Sequence, residues 1–230
     1  MFESKAGVFF IAGVGFFLLA FLGNGVVPML MYRDRPEVTA EQLVAGIPEP
    51  DEPDPEQWKV PPNLRIMNQF RDLAERYPEQ FSVAFGEPTE ETCAEALRLG
   101  RQIYIGEACW HCHSQFVRPV SNESLRYGPV SQSHEYDNEL QRPVMFGTRR
   151  VGPDLSREGG RRGNDWHAVH FYKPSVVSSN SPMPEYPWFF DGSPDKPNRR
   201  GLALITYIQW LGSWLPEYPY YEELVEVTGE

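Results

Sequence analysis

Apolar positions are arranged along this chain in three ways: continuous, periodic and sparse. From Ala6 to Tyr32 they are continuous, 27 residues without one Asp, Glu, Lys, Arg or His. About 20 apolar residues suffice for a helix to cross a bilayer, so the stretch predicts one membrane-spanning helix, kinked or ended by Pro28 around Val27. A cleaved signal peptide would show a shorter apolar region and then a small-x-small site, which this segment does not clearly offer. From Leu64 the pattern becomes periodic: Leu64, Met67, Phe70, Leu73, Ala74 and Tyr77 share a face before Pro78 stops the helix. A second amphipathic helix is predicted from about Thr89 to Tyr104. There Cys93, Leu97, Gly100 and Tyr104 line up, and Thr92 and Glu95 have capping-box spacing. Cys93 on that stripe reads as a small buried hydrophobe. A last helix is predicted near Gly201 to Trp214, too short to be read as a second span.

Two segments are sparse in apolar residues. Pro36 to Pro62 holds seven prolines and seven acidic residues with Lys59 as its one cation, which predicts an extended, solvated linker whose "EPDEPDPE" serves solubility. Arg118 to Arg200 is rich in Gly and Pro, with no long periodic run and no internal repeat. Such a segment does not readily supply its own core, so a large apolar cofactor is attractive as its missing centre. The fold class expected from these patterns is mainly α.

Charge narrows the partners. A net charge of −11 excludes nucleic acid, whose phosphates would be repelled, and permits a basic soluble partner. Against that acidic background, Arg149, Arg150, Arg157, Arg161 and Arg162 fall within fourteen residues. They read either as a solvated face or as a set that pairs with carboxylates of a cofactor or partner.

The chemistry lies in "EACWHCHSQF", where Cys109, Trp110, His111, Cys112 and His113 form C-x-x-C-H. Thiols at i and i+3 can both reach the vinyl groups of a porphyrin, and the histidine after the second is then held beneath the iron; this is the attachment signature of c-type haem. A thioredoxin-like dithiol would need a surrounding βαβ pattern, which is missing. A zinc site of Cys93, Cys109, Cys112 and a histidine would lack a second closely spaced ligand pair. For the sixth ligand Met183 in "SPMPEYPW" is the best candidate, because Pro182 and Pro184 restrict its loop before any iron arrives. Met67 looks like core, Met145 is the next candidate, and His167 and His170 of "DWHAVH" are competitors for which a polar or structural role is favoured. His111 and His134 read as surface groups.

The segments "GRQIYIGEACWHCHSQFVRP", "RYG", "RVGPDLSREGGR", "DWHAVHFYKP", "SPMPEYPW" and "ALITYIQWLG" follow in one order. That order, with a span ending in "VVP", resembles the membrane-anchored mono-haem cytochrome c subunit of cbb3-type haem-copper oxidases. The resemblance implies one covalent haem c on Cys109 and Cys112, axial ligation by His113 and Met183, and a Pro153 carbonyl offered to the His113 ring. The chain is expected to divide into an anchor over 1–33, an acidic Pro-rich linker with a short amphipathic helix over 34–88, a cytochrome c domain with long irregular loops over 89–215, and an acidic tail over 216–230. The helices containing Gly100 and Tyr207 should pack together. Residues 36–92 are longer than the family pattern. The expected function is that of a non-catalytic electron relay in the bacterial inner membrane. Its haem domain would be periplasmic and would pass single electrons from a periplasmic cytochrome toward the oxygen-reducing large subunit. Other membrane subunits and lipid are further partners. The small cytochrome subunit of a nitric oxide reductase and a free membrane-tethered shuttle are the alternatives.

Overall fold

The structure, a computed structural model, describes residues 5–33, 37–46 and 62–215. The acidic stretch 47–61 and the tail 216–230 lie outside the described residues. The chain divides into two units, Met1–Glu37 and Val38–Glu230.

The first unit is one helix, α1 (Ala6–Tyr32), none of whose residues is buried. At about 1.5 Å per residue it is long enough for a ~30 Å hydrocarbon layer. Pro28 does not end it. The preceding turn, Leu22–Val26, is wound as a π-helix, and the Val27 N–H bonds the Leu22 carbonyl. The wider turn removes the register in which the proline ring would meet a carbonyl, so the helix resumes over Val27–Tyr32.

The second unit is helical, and among the described residues it has no strand, only the bridges Val38 with Asn138 and Phe190 with Pro197. Its centre is the crossing of α5 (Glu90–Gly106) with α10 (Arg199–Trp210). Gly100 makes the crossing possible: a Cβ there would lie 2.1 Å from the Ala203 carbonyl oxygen and 2.6 Å from the Tyr207 Cβ. The helices containing Gly100 and Tyr207 therefore pack as expected, and Tyr104 and Tyr207 meet with ring centroids 5.7 Å apart. The cap of α5 lies one turn before the Thr92–Glu95 pair: Thr89 is the N-cap, and its hydroxyl accepts from the Thr92 N–H while Thr92 returns the bond. Cys93 is wholly buried, and burial pushes its thiol far above the usual range.

Ten successive residues of α10, Gly201 to Trp210, are buried, which a helix with only one partner could not achieve. The other cover comes from α3 (Pro62–Arg76) and α4 (Pro78–Phe85). Pro78 ends α3 as predicted, but it also opens α4, since a proline at the first helical turn loses no hydrogen bond. Phe70, Phe81 and Phe85 cluster, Phe70 lying 4.8 Å from Phe81 and 5.9 Å from Phe85. The predicted stripe of α3 is buried at Met67, Phe70, Leu73 and Tyr77, while Leu64 stands out and Ile66 is in.

The extended-linker reading fails at Ala40–Ala45, which form α2. Thr39 and Gln42 make a reciprocal capping box and Gly46 closes the helix in a left-handed conformation, local signals strong enough to set six residues apart from their Pro-rich surroundings. Ala40 and Val44 are fully buried, and Arg98 of α5 clamps the helix through Glu41 and Glu139.

Candidate haem site

The site begins where α5 ends. Ala108 takes a left-handed conformation, and one helical turn follows, α6 (Cys109–Cys112). Cys109 is half-buried, Cys112 is exposed, and neither is in a disulfide. Burial pushes the Cys109 thiol up to about 12. The chain leaves α6 extended at His113, whose N–H still bonds the Cys109 carbonyl at 2.9 Å, so both thiols and the imidazole are fixed by one turn.

The His113 ring is held from the far side by the loop Gly152–Leu155. Nδ1 lies 2.9 Å from the Pro153 carbonyl oxygen. A carbonyl only accepts, so Nδ1 donates and Nε2 keeps its lone pair, the state a metal-binding imidazole needs. Burial lowers the His113 pKa, and the Pro153 bond opposes this only in part, so the ring stays neutral at neutral pH. Gly152 permits the approach, because a Cβ would sit 2.2 Å from the His113 Cε1.

That loop is fastened by main-chain and side-chain bonds. Gly152 N–H donates to the Cys112 carbonyl at 3.1 Å, and Leu155 N–H to the Ser114 carbonyl at 2.9 Å. The buried Asp154 carboxylate accepts from Phe116 N–H and Ser156 N–H, each at 2.9 Å, and from the Ser114 hydroxyl. Arg150 braces it through Asp154, Glu123, the Ser114 hydroxyl and the Phe116 carbonyl. Beside the loop a cavity of about 310 Å³ is lined by Glu123, Arg126 and Tyr127 of the short helix α7 (Glu123–Tyr127) and by Arg150, Val151, Gly152 and Pro153.

Met183 arrives from the other half of the unit. α8 (Asn164–Tyr172) and the single turn α9 (Pro174–Val177) precede its loop, and Tyr186 N–H bonds the Phe171 carbonyl at 2.9 Å to close it. Met183 is half-buried and packs against the same apolar cluster as Cys109, Trp110 and Leu155. Met67 and Met145 are buried in that cluster. The structure thus joins Cys109, Cys112, His113 and Pro153 by direct bonds, while Met183 packs on the apolar cluster that Cys109 also touches. His111 is a surface group that bonds the Thr148 hydroxyl at 2.8 Å.

The residues present fit a haem. Two free thiols share a turn with an imidazole whose unprotonated nitrogen is free, a glycine leaves room for that ring, and a thioether reaches the same core. Sequence reasoning passed over Gly152 and Asp154, although both stand beside Pro153 in "GPDL", and it named Arg150 only as one of the arginine cluster. Their role needed the contact with Ser114 and Phe116, which lie about 40 positions away.

A family model described as cytochrome C oxidase, mono-heme subunit/FixO matches residues 92–201. Over that span the chain is similar to the FixO family. The match runs from the first turn of α5 to the first turn of α10 and so takes in every residue of the site just described. α2, α3 and α4 lie before it, and they are the helices that complete the cover of α10. The match supports a mono-haem subunit of a cytochrome c oxidase, and the chain has one N-terminal helix long and apolar enough to cross a membrane. No curated protein matches the chain.

Proposed function

We propose that this chain is the electron relay of a cbb3-type oxidase. In this reading Cys109 and Cys112 hold one haem c through thioethers, and His113 Nε2 and the Met183 sulfur are its axial ligands. The observation that carries it is the His113–Pro153 hydrogen bond, which orients the ring and reserves Nε2 for iron, on the same turn as two unpaired thiols. Haem bound there supplies a one-electron couple with both axial positions filled, so it carries electrons and does not bind oxygen. The chain's own part is to fix the imidazole tautomer, present the thioether and keep water from the core. α1 anchors the subunit, and the haem domain lies in the periplasm, where c-type haem is attached. Electrons arrive from a periplasmic cytochrome, for which the acidic chain favours a basic surface, and leave toward the oxygen-reducing large subunit. The segments 1–33, 34–88, 89–215 and 216–230 serve as anchor, linker region, haem domain and tail.

The test is Met183→Ala in the full chain. Covalent haem should persist, because Cys109, Cys112 and His113 are untouched. The near-infrared band of Met-ligated ferric haem should vanish, and the midpoint potential should fall by about 59 mV or more, a tenfold shift for one electron. A variant that kept both band and potential would move the ligand elsewhere, with Met145 next in line.

A further inference from the structure

Helix α8 carries two imidazoles that its own packing leaves incomplete. His167 and His170 stand three residues apart, on one face of the helix. His167 Nε2 and His170 Nδ1 are buried with no hydrogen-bond partner. Burial takes the two rings down to about 3 and about 4, so both are neutral at neutral pH. A buried polar atom is rarely left unpaired, and two on one face indicate a partner that is in place only when the site is loaded.

His170 is the better placed of the two. Its ring is stacked on Trp166, centroids 4.5 Å apart and planes 15° apart, and the Arg162 guanidinium lies 5.1 Å from the Trp166 centroid. Its orientation is therefore fixed. The adjacent residue, Phe171, gives its carbonyl to Tyr186 and so closes the Met183 loop. An oriented, buried, unpaired nitrogen thus stands one residue from the contact that closes the Met183 loop.

We infer that His170 is a positioning residue of the haem site, its Nδ1–H donating to an acceptor that the loaded site brings into place: the Met183 sulfur or a haem carboxylate. The inference rests on the assignment of His113 and Met183 as axial ligands. Donation to the sulfur withdraws electron density from it and disfavours ferric iron. Donation to a carboxylate offsets its negative charge, with the same sign of effect.

The experiment uses the full-length, haem-loaded protein in detergent. His170→Phe keeps a ring for Trp166 and removes the donor; His170→Gln keeps a donor. In the Phe variant the ferrous-to-ferric ratio at fixed ambient potential should fall about three- to tenfold, the worth of one hydrogen bond, and Gln should recover part of the loss. A near-infrared band that moves with the Phe substitution assigns the acceptor to the Met183 sulfur. An unmoved band with an altered pH dependence of the potential assigns it to a haem carboxylate. Equal shifts in Phe and Gln, or no shift in either, would overturn the inference, the first by showing a packing effect. Absence of the near-infrared band from the wild-type protein would instead overturn the ligand assignment, and this inference with it.

Discussion

The two halves of the second unit are built on different principles. Around α10 the chain is helical and apolar: Phe70, Leu73, Phe81, Leu97, Tyr104 and the whole of Gly201–Trp210 are buried against one another. From Ser114 to Arg162, regular structure amounts to short turns, and polar side chains hold the segment by reaching main-chain groups. Arg101 takes the Leu140 and Arg142 carbonyls, Tyr136 the Gln115 carbonyl, and Arg157 the Pro129 carbonyl and Glu135. Gln209 joins the halves, accepting from Gly160 N–H at 3.0 Å and donating to the Arg162 carbonyl at 2.8 Å. The first half is bound by area removed from water, which tolerates small errors. The second is bound by specific polar pairs, which cost more when one partner goes missing. The His113 loop belongs to the second kind, so the haem ligand is held by the less forgiving half.

The sharpest way to break this contrast is at Arg157. Its guanidinium is buried and bidentate to Glu135, with Nη1–Oε2 at 2.6 Å and Nη2–Oε1 at 2.8 Å. Arg157→Ala leaves the Glu135 carboxylate buried without its cation and should cost about 3–5 kcal/mol in urea unfolding of the detergent-solubilised protein. Replacing both, Arg157→Met with Glu135→Leu, leaves Trp214 Nε1 and Gln132 N–H without their acceptor but no lone charge. That pair should therefore cost less than the single change. A double variant less stable than Arg157→Ala would show that the pair's hydrogen bonds, not its charge balance, hold the segment.

The apolar half is probed by Gly100→Ala, whose methyl meets the Ala203 carbonyl, a backbone atom that cannot step aside without moving α10. Destabilisation of about 3 kcal/mol is expected, with covalent haem still attached to the folded fraction. A loss below about 1 kcal/mol would mean that the crossing slides easily. This half was largely legible in the sequence, because Leu97, Gly100 and Tyr104 repeat at helical steps and need only one neighbour to be read as a face. The one surprise there is local in cause, Thr39 and Gln42 capping a helix inside an acidic stretch, as is the π turn that carries α1 past Pro28 in the first unit. Just before the polar half, Cys109, Cys112 and His113 were legible because motif spacing is itself the signal; within it, Pro153 was singled out only through the family resemblance. The arginine cluster, read as a solvated face or a carboxylate-binding set, is divided in the fold. Arg150 and Arg157 pair with carboxylates of the chain itself and Arg161 takes the Tyr127 carbonyl, while Arg149 and Arg162 stand exposed, Arg162 over the Trp166 ring. Those partners lie four to 34 positions away in no period, so no pattern in the chain announces them.

The smallest expected effect is confined to a pH window, at the one carboxyl in the polar half whose protonation the fold alters upward. Burial raises the Glu158 pKa from 4.5 to about 7, while Arg161 and Arg162 oppose it. The proton is then held more tightly in the folded state than in the unfolded one. Stability is full while the group is protonated in both states, declines as pH rises from about 4.5 to about 7, and stays reduced above that. Glu158→Gln keeps the shape, carries no charge and should remove this decline. The variant should match wild type near pH 4 and exceed it by about 2 kcal/mol at pH 8, read from urea midpoints across the range. Parallel curves for the two proteins would mean that Arg161 and Arg162 already neutralise the carboxylate. The segment would then hold its charges in balance throughout, rather than carrying one charge that only protonation relieves.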